Sequence, residues 1–535
     1  MSLRVRRLFA VTGTTLATTA LTLTSVGATT GAGTAWTLAA GDRHPALVIA
    51  RAGHVAAAAA AVRAAGGTIV TTLPIINGFK ADVSDAAAAS LNGSASVVSV
   101  TADRSVQAAS SSYDPTAPGA SYAASSRASN VWATGNSGQG VTVAVLDTGV
   151  ANVPDLTGRL VPGVDLSGEG DSLKDSYGHG TVMAGLIAGS GQSSAGAYPG
   201  IAPSARIVSV KVAGRNGAAD VSTVLAGLQW VGSFAQQDNI KVVSVAWGSP
   251  SHQSDLIDPL DFAVERLWSM GITVVTSAGN AGPGPYTITK PGDDPAVITV
   301  GAFNDLATVS SADDAALDFS SRGPTADAVS KPDLVAPGRT LVSVRAPGST
   351  VEQQNPQALV AGGYIRGSGT SQATAVTAGG VALLLSAHPT LTPDQVKYAL
   401  TSTASPISGV SRNVQGGGEL RLSRAVNANS AAAPVQSLDG FGGGSLEASR
   451  GGQHVSTVCP GDTLATVVVG DVTAQCTPWS AEQWSAEQWS AEQWSAEQWS
   501  AEQWSAEQWS AEQWSAEQWS AEQWSAEQWS AEQWS

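Results

Sequence analysis

The chain has 535 residues, with 43 acidic and 27 basic side chains for a formal charge of −16, which argues against a nucleic-acid partner. Only 13% of residues are charged and 43% are hydrophobic, with 58 Gly and 25 Pro, so a loop-rich globular core fits better than a disordered acidic chain. Eleven of the acids lie in a C-terminal repeat, leaving −5 on the other 480 residues, and two cysteines, Cys459 and Cys476, exclude a zinc ribbon or a dense disulfide scaffold. Residues 1–35 run from Arg4, Arg6 and Arg7 through a Leu/Ala/Thr stretch to small residues, the order of a cleaved secretory signal. Seven threonines between Leu8 and Ser25 dilute the apolar run, which disfavours a membrane span. Arg6-Arg7-Leu8-Phe9 is also like a twin-arginine signal. No later run of about 18 apolar residues follows, so the mature form is expected to have no stable span.

Residues 44–106 read as a small α+β unit. A strand at 46–50, an alanine-rich helix at 54–65, strands at 68–73 and 78–83 around Asn77-Gly78, a second short helix from Ser84-Asp85 and a strand at 95–101 give the order βαββαβ. The polar stretch Ser110 to Ser112 marks residues 107–124 as a linker or processing region. Between 125 and 428, β-branched runs at 141–146, 206–212, 241–247, 272–277 and 297–300 alternate with helical segments at 181–188, 221–236 and 261–270. Further helices follow at 371–387 and 393–401. Buried strands alternating with helices predict an α/β domain, a parallel sheet covered on both faces.

The first strand delivers Asp147-Thr148-Gly149 at its carboxyl end, where open α/β sheets place their ligand crevices. Alone, Asp147 fits a structural carboxylate as well as a functional one. An aspartic peptidase needs a second Asp-Thr/Ser-Gly loop, a phosphotransferase a second acid two residues on, and a dinucleotide fold glycines after the strand; all three are missing. His179, flanked by Gly178 and Gly180 at a helix start, is the one histidine of six in a catalytic-looking context. Ser371, in Gly369-Thr370-Ser371, starts a long apolar helix. A serine there is ordinarily a cap. It gains chemical meaning only when a histidine can remove its proton and a carboxylate can orient that histidine. Asn280 ends another buried strand after Ser277-Ala278-Gly279, where an amide can be a turn or a donor to an oxyanion.

Together with Phe319 to Pro324 and Lys331 to Gly338, these stretches resemble the subtilisin-like serine peptidases (subtilases), in the family's order over about 125–428. The resemblance implies a subtilisin-like sheet, with Ser371 as nucleophile, His179 as general base and then acid, Asp147 as its orienting partner, and Asn280 with the Ser371 N–H as oxyanion hole. It also implies that Ala246, Trp247 and Gly248 form an edge strand pairing with extended substrate, Trp247 narrowing a subsite. Ser277, Ala278, Gly279 and Thr289 would line the first pocket. Residues 44–106 resemble the inhibitory propeptide, especially Ile76-Asn77-Gly78-Phe79, a unit that assists folding and then covers the cleft. Two departures stand out: Gln372 and Ala375 replace the usual Met and Pro after the nucleophile, and Val182-Met183 stands where His-Val is usual. No cofactor is expected for catalysis. Calcium often stabilises the family, but no ligand loop is matched here.

Residues 429–480 read as a linker with a small β-rich appendage. Within it Cys459 and Cys476 are expected to form a disulfide in an oxidising environment. From Ala481 the chain is eleven copies of Ala-Glu-Gln-Trp-Ser, which hold most of the 17 tryptophans. Neither a helix nor a strand of this period makes one buried stripe, so residues 481–535 read as a tail, with cell-wall or carbohydrate contact by tryptophan stacking as its expected use. The main expectation is a secreted endopeptidase acting on polypeptide substrates and made as a precursor held by its own propeptide. The alternative is an inactive scaffold that binds through the tail.

Overall fold

A computed structural model describes residues 43–103, 105–108, 121–444 and 446–449. The expected signal, both cysteines, the appendage and the repeat lie outside these residues.

The leading unit consists of β1 (Arg43–Ala50), α1 (Val55–Ala64), β2 (Thr68–Leu73), β3 (Gly78–Ser84), α2 (Asp85–Asn92) and β4 (Val97–Ala102). Its antiparallel sheet has the order β2-β3-β1-β4. Ser84 starts α2 as its cap, accepting the Ala87 N–H at 3.3 Å. Strand alternation divides β1 between two cores. Val48 packs with Val62, Phe79 and Leu91 under the unit's own helices, whereas Leu47 and Ile49 join the core of the following domain. A unit of this size is marginal alone, and its second apolar face is buried only against that domain.

After β5 (Ser105–Ala108), the larger domain supplies β6 (Thr142–Asp147), β7 (Leu160–Asp165), α3 (His179–Ala188), β8 (Arg206–Lys211), β9 (Ala218–Asp220), α4 (Val221–Phe234), β10 (Ile240–Val245), β11 (Trp247–Gly248), α5 (Pro259–Ser269), β12 (Thr273–Ser277), β13 (Ile298–Asn304), β14 (Ala315–Ala316), β15 (Leu334–Pro337), α6 (Thr370–Ala387) and α7 (Pro393–Ser402). The main sheet runs β14-β13-β12-β10-β6-β8-β7, with β15 also paired to β13. Apart from the short β14 edge, every pairing is parallel. Helices α3 and α6 pack together on one face, α4 and α5 on the other. Both faces are therefore dry, which explains why β6 and β12 are buried along their whole length instead of alternating.

Three features depart from the sequence reading. Strands β7 and β15 contain Pro162 and Pro337, which masked them as strands. Part of the expected linker from 107 onward is strand β5, which lies between β9 and β11 in a separate three-stranded sheet. The expected linker from 429 onward also packs on the domain: Phe441 N–H donates to Leu256 O at 2.9 Å and Gly440 N–H to the Glu265 carboxylate at 3.0 Å. Among the described residues, no helix is long and apolar enough to cross a membrane, and no group of three or more His, Cys, Asp or Glu side chains is arranged to hold a metal ion.

The leading unit is clamped to the first turn of α4. Asp103 forms a buried ion pair with Lys80 at 2.6 Å and accepts both the N–H (3.2 Å) and the hydroxyl of Ser222. A carboxylate there meets the positive end of the helix. Beside it, the Ile75 N–H donates to Gln229 Oε1 at 2.6 Å. Asp103→Ala removes the carboxylate of this buried pair and leaves the Lys80 ammonium to its weaker contacts, at a cost of up to about 3–5 kcal/mol. Amide hydrogen exchange in the first turn of α4 and in β3 is expected to speed up by tenfold or more; unchanged protection would show that the clamp contributes nothing.

Candidate active site

Strand β6 ends on Asp147, and α3 begins at His179 after Gly178, whose φ of 107° suits only glycine. His179 Nδ1 lies 2.9 Å from both Asp147 carboxylate oxygens. Gly180 makes this approach sterically feasible, because a Cβ there would stand 2.1 Å from Gly149 O and 3.1 Å from Asp147 Cβ. Thr148 staples the two elements together: its hydroxyl donates to Asp175 Oδ1 at 2.8 Å and accepts the Gly180 N–H at 3.0 Å. Asp175 also accepts the Gly178 N–H, and both the N–H and the hydroxyl of Thr181. Burial nevertheless raises this carboxyl to about 6, against the effect of those donors and with a further push from Asp147.

The imidazole experiences opposing influences. Burial favours its neutral form, but the Asp147 charge, the hydrogen bond to it and the Asp175 charge outweigh burial, so the His179 pKa is raised above its ordinary value. Its other nitrogen, Nε2, is buried and has no hydrogen-bond partner. Ser371, in the first turn of α6 and 1% exposed, donates its hydroxyl to Ala246 O at 2.8 Å and not to that nitrogen. The sequence reading did not anticipate this hydroxyl orientation.

Asn280 is fixed through its carbonyl. Asn280 Oδ1 accepts the N–H and the hydroxyl of Thr370, each at 2.9 Å, and Thr370 Oγ1 accepts the Gly279 N–H at 3.2 Å. Asn280 Nδ2 lies 3.3 Å from where a Cβ on Gly369 would stand, so the side-chain amide sits beside the turn that carries Ser371. Gln372 faces the same turn, with Oε1 at 2.7 Å from that point and without a hydrogen-bond partner. Ala375 is buried within an unbroken α6, so the helix continues where a proline is usual.

Of the expected pocket residues, Ser277, Ala278 and Gly279 follow one another at the end of β12, and Thr289 closes on them by donating its N–H to Ala278 O at 3.0 Å. Gly279 has φ of 101° and would bring a Cβ to 2.7 Å from Thr289 Cγ2. Trp247 is buried in the main core, with its indole N–H donating to Leu146 O at 3.2 Å, so β11 is anchored to β6 through this side chain. The backbone of β11 pairs antiparallel with β5, Trp247 opposite Ala108 and Gly248 opposite Gln107. On its other edge β5 pairs with β9, from Ser105 opposite Asp220 to Gln107 opposite Ala218. Sequence reasoning missed β9, Thr370 and Asp175. Of these, only Thr370 had a local signal, its place between Gly369 and Ser371.

An aspartate–histidine pair at the carboxyl end of β6 and a serine hydroxyl on the carbonyl that follows β10, in a doubly covered parallel sheet, fit the layout of a serine hydrolase. Comparison with known proteins narrows that class. Residues 138–442 match the model of the subtilase family, Peptidase S8. The chain belongs to this family of subtilisin-like serine peptidases. It is 40% identical over 295 residues to serine protease AprX of Bacillus subtilis (strain 168), a match covering 54% of this chain and 66% of that protein. It is 34% identical over 288 residues to subtilisin Savinase of Lederbergia lenta, covering 53% of this chain and 90% of that one. Among solved structures, fervidolysin from Fervidobacterium pennivorans, described as a keratinolytic enzyme related to subtilisin, shares the fold with a TM-score of 0.58 at 24% identity, over 75% of this chain and 63% of that one.

A general base must be unprotonated to work, so a raised His179 pKa moves the acid limb upward. For the processed protein, kcat/KM is expected to fall as pH drops through a midpoint above about 6.5, the ordinary histidine value. A midpoint below it would mean that Asp147 does not stabilise the charged imidazole.

Proposed function

We propose that this chain is a secreted serine endopeptidase, made as a precursor in which residues 44–106 act as an intramolecular inhibitor. One observation carries this reading: β5, the chain's own segment, runs as an extended strand between β9 and β11, one residue beyond the carbonyl that holds the Ser371 hydroxyl. A segment held by its backbone between two edges is how an extended peptide is bound with tolerance for many side chains. The segment that follows the leading unit therefore occupies the groove that a substrate needs.

In the proposed mechanism, the Ser371 hydroxyl leaves Ala246 O, turns to His179 Nε2 and gives up its proton as its oxygen attacks the scissile carbonyl. Asp147 holds the Nδ1–H tautomer and stabilises the imidazolium that forms. The tetrahedral oxyanion takes the Asn280 amide and the Ser371 N–H at the positive start of α6. His179 then returns the proton to the leaving amine, and water repeats the sequence on the acyl-enzyme. Every step uses groups of the chain itself. Calcium ligands are not assigned. Secretion rests on residues 1–35, and the Cys459–Cys476 bridge and the repeat tail's wall contact remain proposals from sequence.

Ser371→Ala is expected to lower casein hydrolysis by about 10⁶-fold, a magnitude borrowed from subtilisin, and to leave the precursor uncut. In the wild-type protein, mass spectrometry should place the new N-terminus within the few residues after Ala108. A pure Ser371→Ala precursor that still matures would refute the nucleophile assignment. Asn280→Ala is expected to lower kcat by about 10²- to 10³-fold, again the subtilisin scale, with KM nearly unchanged. A rise in KM alone would assign Asn280 to substrate binding instead.

A further inference from the structure

Strand β11 is only two residues long, and the residue after it is fixed from two sides. The Ser249 backbone pairs with Lys290, N–H to O at 3.2 Å and O from N–H at 2.9 Å. The Lys290 ammonium is itself buried, 2.5 Å from both Asp261 and Asp293. On the other side, the Ser249 hydroxyl donates to the main-chain carbonyl of Ser449. This second support comes from beyond residue 442, where the match to the family model ends.

Ser449 is wholly buried, and its own hydroxyl donates to Asp258 Oδ1 at 2.9 Å. Asp258 is the cap of α5, accepting the Leu260 N–H at 2.9 Å, and it also takes Gln253 Nε2 at 2.9 Å. The approach to Ser449 is made by a glycine-rich strap laid flat on α5 and the loop before it. A Cβ on Gly440 would stand 2.7 Å from Glu265 Oε2, on Gly442 2.7 Å from Phe262 Cδ1, and on Gly444 2.6 Å from Ile257 O. Gly443 would meet Val98 of the leading unit at 2.6 Å. The Gly444 N–H donates to Ile257 O at 2.6 Å.

We propose that the strap formed by residues 440–444 and 446–449 is a positioning element for substrate: through Ser449 and Ser249 it holds β11 in the geometry that pairs with an extended polypeptide. The inference rests on the peptidase reading and adds a determinant of how long substrates are bound. A two-residue edge has few hydrogen bonds to order an incoming chain, so any freedom in the edge must be lost on binding. Removing the Ser249 hydroxyl takes away one of the two supports on this side of the edge without touching Asp147, His179 or Ser371. The consequence falls on substrates that occupy β11 and not on those that reach only the nucleophile.

The test uses the processed full-length protein with two synthetic substrates, a chromogenic peptide with four residues on the acyl side and a single-residue ester. Ser249→Ala is expected to raise KM for the peptide by about fivefold, the weight of one hydrogen bond, with kcat and ester hydrolysis unchanged. Ser249→Thr, which keeps a hydroxyl, is expected to restore the peptide KM. Should Ser249→Ala not fold, Ser449→Ala, which cuts the strap from Asp258, is expected to give the same split. Equal losses on both substrates, or no loss on either, would overturn the proposal. Failure of the wild-type protein to hydrolyse the ester would instead overturn the peptidase reading on which it rests.

Discussion

The contact between Asp147 at the end of β6 and His179 at the start of α3 sets the spacing of everything else in the catalytic face. Each residue is the terminal position of an element that cannot shift. Strand β6 lies between β8 and β10, and α3 is packed against α6 and the sheet. Thr148 and Asp175 hold the two ends together with five hydrogen bonds that use neither Asp147 nor His179. Asp175 is buried and its carboxyl is raised by that burial, so the staple is costly to build, and it lies directly beside the aspartate–histidine pair.

The same economy appears in the leading unit. Its sheet has two apolar faces, one covered by its own helices through Val48, Phe79 and Leu91, the other by α4 and α5 through Leu47, Ile49, Leu73, Ile75 and Ile76. Strand β5 then follows that docked sheet and lies between β9 and β11, in the proposed substrate groove. Docking and groove occupancy are thus linked by a short connection, and the Lys80–Asp103–Ser222 clamp lies at the junction. The proposed inhibition needs no special inhibitory chemistry, only an extended strand delivered in register.

The chain's motifs singled out Asp147, His179, Ser371 and Asn280, because Gly178-His179-Gly180 and Gly369-Thr370-Ser371 each reflect a local steric requirement that the structure exhibits. The parallel sheet was legible for the same kind of reason: β-branched runs buried on both faces read as continuous apolar stretches. Legibility ended where partners decide the conformation. Strand β5, Ser-Val-Gln-Ala, is too short for its alternation to stand out from the linker around it, and it lies as a strand between β9 and β11. The run Gly440 to Gly444 has the composition of a flexible linker, yet it lies pressed against Glu265, Phe262, Val98 and Ile257, and no local rule identifies those neighbours. The indole of Trp247, expected to narrow a subsite, bonds to Leu146 O, and that choice depends on the position of β6.

The central claim is that His179 activates Ser371 as a nucleophile, and the most direct measurement is covalent capture of that oxygen. The processed protein is treated with a fluorophosphonate and digested, and the labelled peptide is sequenced by mass spectrometry, alongside a His179→Ala variant. One adduct on Ser371, absent from the variant, is the result predicted. A label on another serine, or equal labelling of Ser371 with and without His179, would contradict the account.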